Sequence, residues 1–228
     1  MKLTSEKKRQ ADTIYLLLAA LFVAALVSCN LIANKFLIVN LGFKTFVLSA
    51  GVLPYPITFL ITDILSEIYG RKKTNRVIIA GFFASMFVLF ILKLGAAFPA
   101  IADSPVSDEV YNTTFNNAWK IIMASMLAYI TAQLVDVRLF HFWKKLTNGK
   151  MLWMRNNAST VFSQLVDTAL VVTIIFIGIK TFSEITPIIF DGWLFKSLVA
   201  LVDTPFLYAA TWLFRRHFGL AFGEELEE

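Results

Sequence analysis

The sequence holds one cysteine, Cys29, and two histidines, His141 and His217, among 228 residues. A single cysteine excludes a disulfide framework and cysteine-based metal clusters. Two histidines are too few for a multi-histidine metal or haem site. No metal and no other cofactor is expected. Charge is also scarce: 16% of the residues are Asp, Glu, Lys or Arg, against about 25% in soluble domains. There is no Walker motif, no nucleophile elbow and no zincin helix, so any ATP would be used elsewhere and an enzyme is not expected. What the sequence has in excess is apolar bulk. Hydrophobic residues make up 57%, phenylalanine alone supplies 22, and mean hydropathy is +0.68. A water-soluble domain of this size could not hide so much apolar surface behind so few charges. An integral membrane protein remains. The net charge of +5 does not point to nucleic acid, because the basic residues flank apolar runs instead of forming one patch.

Six apolar segments are long enough to span a hydrocarbon core, at about 20 residues each. They cover about 14–33, 52–69, 76–97, 118–139, 157–179 and 193–214. The fold class expected is therefore all-α, with six transmembrane helices in one domain over 14–216, an N-terminus over 1–13 and a tail over 217–228. Pro54 and Pro56 fit the first turn of the second helix. The stretch 35–51 is apolar, short and Gly-punctuated, and reads as re-entrant or interfacial. Lys2, Lys7, Lys8, Arg9, Arg71, Lys72, Lys73, Arg76, Arg138, Lys144, Lys145, Lys150, Arg155, Arg215 and Arg216 all fall on one side of this arrangement. They are fifteen of the 21 basic residues. The opposite loop, 98–117, carries Asp103, Asp108 and Glu109 and no Lys or Arg. Both termini are thus expected in the cytoplasm of a multi-pass inner (plasma) membrane protein. Lys35 and Lys44 dilute the bias.

Leu26-Val27-Ser28-Cys29 after a basic start resembles a lipoprotein signal. Cleavage there would remove the first helix and leave an odd number of spans, so Cys29 reads instead as a small residue in a packed helix. The acidic end Glu224-Glu225-Leu226-Glu227-Glu228 reads as a solvated tail without a function.

Five carboxylates fall inside the spans: Asp63, Glu67, Asp136, Asp167 and Asp203. Each costs about 2.5–3.5 kcal/mol at a bilayer centre even on lenient scales, so such groups face the bundle interior, pair or protonate. Glu67 and Asp136 lie near the cytoplasmic helix ends. Glu67 has Arg71 at i+4, and Asp136 has Arg138 and Lys144 nearby, which predicts interfacial ion pairs. Asp63, Asp167 and Asp203 lie deeper and are candidates for ligand or proton handling. Ser125, Tyr129, Gln133 and Asp136 stand at offsets 0, 4, 8 and 11, and Asn156, Thr160, Gln164 and Asp167 repeat those offsets 31 residues later. Each set keeps to one helical face, with AQLVD and SQLVD carrying the match. Leu201-Val202-Asp203-Thr204 repeats a fragment before Pro205, which can kink the last helix. Amides and carboxylates beside aromatics such as Tyr15, Tyr55, Phe59, Tyr69, Phe140 and Trp153 suit a planar heterocycle with several N–H groups.

The segments TFLITDILSEIYGRKKTNRVI (58–78) and DVRLFHFWKKLTNGKMLWMRNNASTVFSQLVDT (136–168), with Asn34-Lys35 after the first helix, resemble the queuosine-precursor transporters, a family of vitamin-uptake-type membrane proteins. The likeness spans roughly 15–215, and RNNxSTxxSQxxDT is its most specific part. It implies a six-helix bundle like the substrate-binding components of energy-coupling-factor importers. It also implies import of 7-deazapurines such as 7-cyano-7-deazaguanine or 7-aminomethyl-7-deazaguanine. By this resemblance Asp63 and Glu67 carry over from the first motif, and Arg155, Asn156, Gln164 and Asp167 from the second. Asn34, Gln133 and Asp203 complete the candidate substrate-binding set. The partners expected are a planar 7-deazapurine and the lipid bilayer, and homo-oligomerisation stays open. The alternative is a binding component for another vitamin or nucleobase that needs a separate ATPase module. An intramembrane aspartyl protease built on Asp136 and Asp167 is disfavoured, because the two lie at different depths.

Overall fold

The structure is a computed structural model and describes residues 4–116 and 119–226. Lys2, Asn117, Ala118, Glu227 and Glu228, on which expectations above fall in part, lie outside the described residues. Among the described residues, six helical segments are long and apolar enough to cross a membrane. They are α1 (Ser5–Leu31), α2 (Tyr55–Ile68) together with the turn that precedes it from Ala50, α3 (Gly70–Ala96), α5 (Trp119–Leu146), α6 (Leu152–Phe176) and α7 (Phe182–Phe218). A short α4 (Asp108–Tyr111) lies in the acidic loop between α3 and α5. The chain is an all-α, multi-pass membrane protein.

Its surface fits lipid. Leu16, Leu17, Leu21, Phe83, Phe87, Phe90, Phe206 and Trp212 are all more than half exposed, an arrangement that water would penalise and hydrocarbon solvates. At the centre is α2, in which every residue from Ile61 to Ile68 is buried, followed by buried Tyr69 and Gly70. A helix buried on all sides still carries Asp63, Ser66 and Glu67, so these polar groups must find partners inside the protein. Phe22, Leu26, Leu65, Ile78, Met126, Phe140, Leu207 and Phe218 form the apolar core around it.

One open segment takes form and two expectations change. The stretch after α1 is a β-hairpin, β1 (Phe36–Asn40) paired antiparallel with β2 (Thr45–Ser49), followed by a 3-10 turn over Ala50–Val52. Its alternating exposure and the Asn40–Gly42 turn favour strands over a helix. The last helix begins at Phe182, eleven residues before the expected 193, because Thr181 and Glu184 form a capping box there. The acidic end is not a solvated tail in the part that is described. Leu226 is buried and donates its N–H to the Ile68 carbonyl at 2.7 Å. Glu225 binds Lys144 at 2.9 Å, and Gly223 passes close over Gly149. These contacts lie at the end of the bundle that carries both termini, where His217 also meets Gln10. The hairpin marks the other end.

Candidate functional site

Near the hairpin end, α1, α2, α5, α6 and α7 surround a cavity of about 180 Å³. A cavity of about 150 Å³ holds one benzene-sized molecule, so this one suits a ligand of one or two small rings. Asp167 of α6 and Lys196 of α7 meet in it, Nζ to Oδ2 at 2.6 Å. The Lys196 ammonium also lies 4.5 Å from the centre of the Tyr55 ring, a cation–π contact. Tyr55 and Tyr129 face each other edge-on, 6.4 Å between centroids, and both hydroxyls are buried with no hydrogen-bond partner within 3.5 Å among the described residues. Asn30, Cys29 and Ser125 complete the polar part of the wall. Gly51 lets the 3-10 turn approach α1, since a Cβ there would come within 2.6 Å of the Cys29 carbonyl. Lys196, Asn30 and Gly51 had no signal in the sequence. Lys196 sits in an apolar run with no charged residue one turn away, and its partner is 29 residues distant.

A polar column runs from this cavity along α6 toward the termini end. Behind Lys196 and Tyr55, a second void of about 20 Å³ is lined by Gln164, Thr160 and Asp203. Further along, Ser163 donates to Asp136 at 2.8 Å, joining the faces of α6 and α5 that carry the matched motifs. Gln133 accepts from Thr62 of α2 at 3.2 Å. Asn156 reaches Thr204 of α7 at 3.5 Å.

The column ends in a buried charge cluster. Glu67 is completely buried and is gripped by Arg155 through two bonds, at 2.6 and 3.2 Å, by Arg215, and by Lys144 at 3.5 Å. Arg155 also donates to the Gly149 carbonyl at 3.0 Å and covers the Phe140 ring. Four helices are tied here, and the Glu225–Leu226 tail lies over them. The expected Glu67–Arg71 pair does not form. Between them α2 stops and α3 restarts at Gly70, whose φ of +78° breaks the i, i+4 register and leaves Arg71 exposed. Nor does Asp136 pair with Arg138 or Lys144. It is fully buried against Ser163, Arg138 points outward, and Lys144 goes to Glu67.

Of the candidate substrate-binding set, Asp167 alone lines the larger cavity, together with Ser125 and Tyr129 of the α5 stripe and the aromatic Tyr55, and Gln164 and Asp203 line the smaller void. Asp63, Gln133 and Asn156 lie along the column, and Glu67 and Arg155 form the cluster at its end. Asn34 is elsewhere, holding the Thr114 carbonyl of the acidic loop at the hairpin end.

Residues 49–210, which include the column, most of the cluster and the cavity wall apart from its α1 side and Leu48, match a family model described as "Putative vitamin uptake transporter". A "Probable queuosine precursor transporter" of Bacillus subtilis is 30% identical over 161 residues, 70% of this chain and 70% of that protein. A "Probable queuosine precursor transporter" of Haemophilus influenzae is 24% identical over 67% of this chain and 63% of its own length. The "Queuosine precursor transporter" of Escherichia coli is 28% identical over 56% of this chain and 53% of its own. The chain therefore spans between half and two thirds of the latter two. No solved structure matches. With its model covering most of the spans and a relative alike over 70% of both lengths, the chain belongs to the vitamin uptake transporter family.

Proposed function

We propose that the protein is a carrier that imports a queuosine precursor, 7-cyano-7-deazaguanine, 7-aminomethyl-7-deazaguanine or a related base, across the inner (plasma) membrane, with both termini in the cytoplasm. The observation that carries this reading is the cavity at Asp167. Its size suits a small fused-ring heterocycle, and its chemistry complements a guanine-like one. The Asp167 carboxylate accepts from the ring and exocyclic N–H edge, Lys196 turns to the ring carbonyl, and Tyr55 and Tyr129 flank the ring and offer free hydroxyls. Asp167 and Lys196 neutralise each other, so neither is left as an unpaired buried charge. The relatives' names support the substrate class, and the one-sided basic residues support the orientation.

The two ends differ in a way that suits alternating access. The cavity lies under the hairpin, which Lys44 joins to Asp191 of α7 at 2.5 Å. The opposite end is shut by the Glu67 cluster. Release into the cytoplasm requires that cluster to open, while Gln164, Asp203 and Asn156 line the route toward it. No step calls for covalent chemistry.

Thermal shift of the detergent-solubilised protein tests the proposal. Stabilisation by a ligand grows with its concentration over Kd, about 2.7 kcal/mol at 100 times Kd. 7-Cyano-7-deazaguanine raises Tm, guanine does so less, and Asp167→Asn shrinks both shifts at the same ligand concentration. Failure of every deazapurine to raise Tm refutes the reading.

A further inference from the structure

The carrier reading leaves two buried acids without a role. Asp63 of α2 is 2% exposed and Asp136 of α5 is 0% exposed. The Thr62–Gln133 bond joins α2 to α5 one residue from Asp63 and three from Asp136, and the two carboxyl groups lie within interaction reach of each other. Asp136 receives the Ser163 hydroxyl on one oxygen. Its other oxygen and one oxygen of Asp63 receive no donor among the described residues. Neither acid forms an ion pair among the described residues. The Thr160 hydroxyl, 2% exposed, faces Asp136 and links it to the void at Gln164 and Asp203.

Two facing carboxyl groups in a low-dielectric interior cannot both be ionised, because repulsion and lost hydration both oppose it. One proton between them turns an orphaned pair of acceptors into a donor and an acceptor. The charged and titratable groups around the pair do not replace that proton. Glu67, one turn along α2, is saturated by Arg155, Arg215 and Lys144. Asp203 faces it from α7 and adds a further negative charge. Tyr129 lies two turns back on α5, and the facing part of α6 offers only the hydroxyls of Ser159, Thr160 and Ser163.

We propose that Asp63 and Asp136 form a proton-carrying carboxyl pair that couples solute import to inward proton movement. The proposal rests on the carrier reading for what is coupled, but the pair itself stands apart from the solute. Its position explains the coupling. The pair lies between the solute cavity and the Glu67 cluster, on the two helices that Lys144 and Glu67 tie together. With the proton present, the carboxyl groups hold α2 and α5 together. Loss of the proton to the cytoplasm is possible only as the two carboxylates separate and gain solvation, so deprotonation goes with parting of the helices beside the ties that close that end. A proton enters by way of Asp203 and the Thr160 hydroxyl and leaves as the cluster opens.

Two measurements test this. Purified protein in proteoliposomes is given radiolabelled 7-cyano-7-deazaguanine with or without an acid-outside pH gradient. The gradient is expected to speed wild-type uptake at least tenfold and to drive accumulation. Asp136→Asn, which carries no transferable proton, is expected to lose that stimulation while still exchanging labelled for unlabelled solute. Uptake indifferent to the pH gradient, driven instead by a sodium gradient, or still proton-stimulated in Asp136→Asn overturns the coupling. Separately, infrared spectra of the purified protein at pH 7 should show the carbonyl stretch of a buried protonated carboxylic acid, lost in both Asp63→Asn and Asp136→Asn. Absence of that band from the wild type overturns the pair, whatever solute is carried. If the band is present and no deazapurine moves under any condition, the carrier assignment and its coupling fall while the shared proton stands.

Discussion

Replacing Glu67 by Gln probes the buried charge cluster where it has least room to adjust. The change removes the anion but keeps the side-chain shape. Arg155 is completely buried, and Glu67 is the one carboxylate it touches among the described residues. After the substitution its guanidinium retains the Gly149 carbonyl and the Phe140 ring, with Arg215 and Lys144 still converging on the same point. Breaking a buried ion pair from one side costs about 3–5 kcal/mol. Gln keeps one acceptor oxygen, which places the loss near about 3 kcal/mol. For a chain of this size about 1 kcal/mol shifts Tm by about 2–4 °C, so Glu67→Gln should melt about 6–12 °C below the wild type. The assay is thermal unfolding in detergent at one fixed scan rate, since membrane-protein melting is often irreversible. The double variant Glu67→Leu/Arg155→Met removes both fully buried charges. Lys144 keeps Glu225, and Arg215 is partly solvent-reachable, so the double variant should recover to within about 1 kcal/mol of the wild type. A Glu67→Gln protein that melts within about 2 °C of the wild type, or a double variant whose loss equals the sum of the singles, refutes the reasoning.

Other outcomes follow from the same geometry. Asp167→Asn should weaken 7-cyano-7-deazaguanine binding about 10–100-fold, the equivalent of one charge-assisted hydrogen bond of about 1.5–3 kcal/mol; titration calorimetry measures it, and unchanged affinity removes Asp167 from the site. Lys196→Met should lower both affinity and Tm, because it leaves the buried Asp167 carboxylate without its cation, whereas Lys196→Met/Asp167→Asn should recover Tm but not affinity; undiminished binding by Lys196→Met removes Lys196 from the site. Gly51→Ala should cost about 1–3 kcal/mol, because the added methyl would crowd the Cys29 carbonyl and lift the turn from α1; wild-type melting would show that the turn gives way freely. Lys44→Ala should cost under about 1 kcal/mol, since the Lys44–Asp191 pair is partly exposed, and a larger fall in Tm would contradict that.

The spans were legible because the bilayer imposes a strong hydropathy contrast, and the polar stripes because a charge in an apolar run stands out. Asp167, Gln164 and Glu67 were all found that way. Their partners were not. Glu67 meets Arg155 across 88 residues and Arg215 across 148, and no local rule chooses these over Arg71, four residues on. The choice depends on Gly70, whose left-handed backbone ends one helix and starts the next. The start of α7 was hidden by Pro187 and Asp191, which dilute hydropathy within a continuous helix. The hairpin was hidden because its strands are only five residues long and apolar, a length and composition that an interfacial segment shares. Lys196 carries no local signal, because nothing beside it in the sequence is acidic.

The 37-residue α7 gives the molecule a single lever. It holds the hairpin at Asp191, the solute cavity at Lys196, the smaller void at Asp203 and the closed end at Arg215. Asp191 and Arg215 are about 36 Å apart along a straight helix at 1.5 Å per residue. A rod anchored at so many points cannot tilt at one end and stay still at the other, unless it bends. Pro205, which removes a backbone donor between Lys196 and Arg215, is where bending is cheapest. The timing between the two ends is therefore set within one helix: a stiff α7 rocks both together, and a flexed one lets the hairpin end close on solute before the Arg215 end lets go.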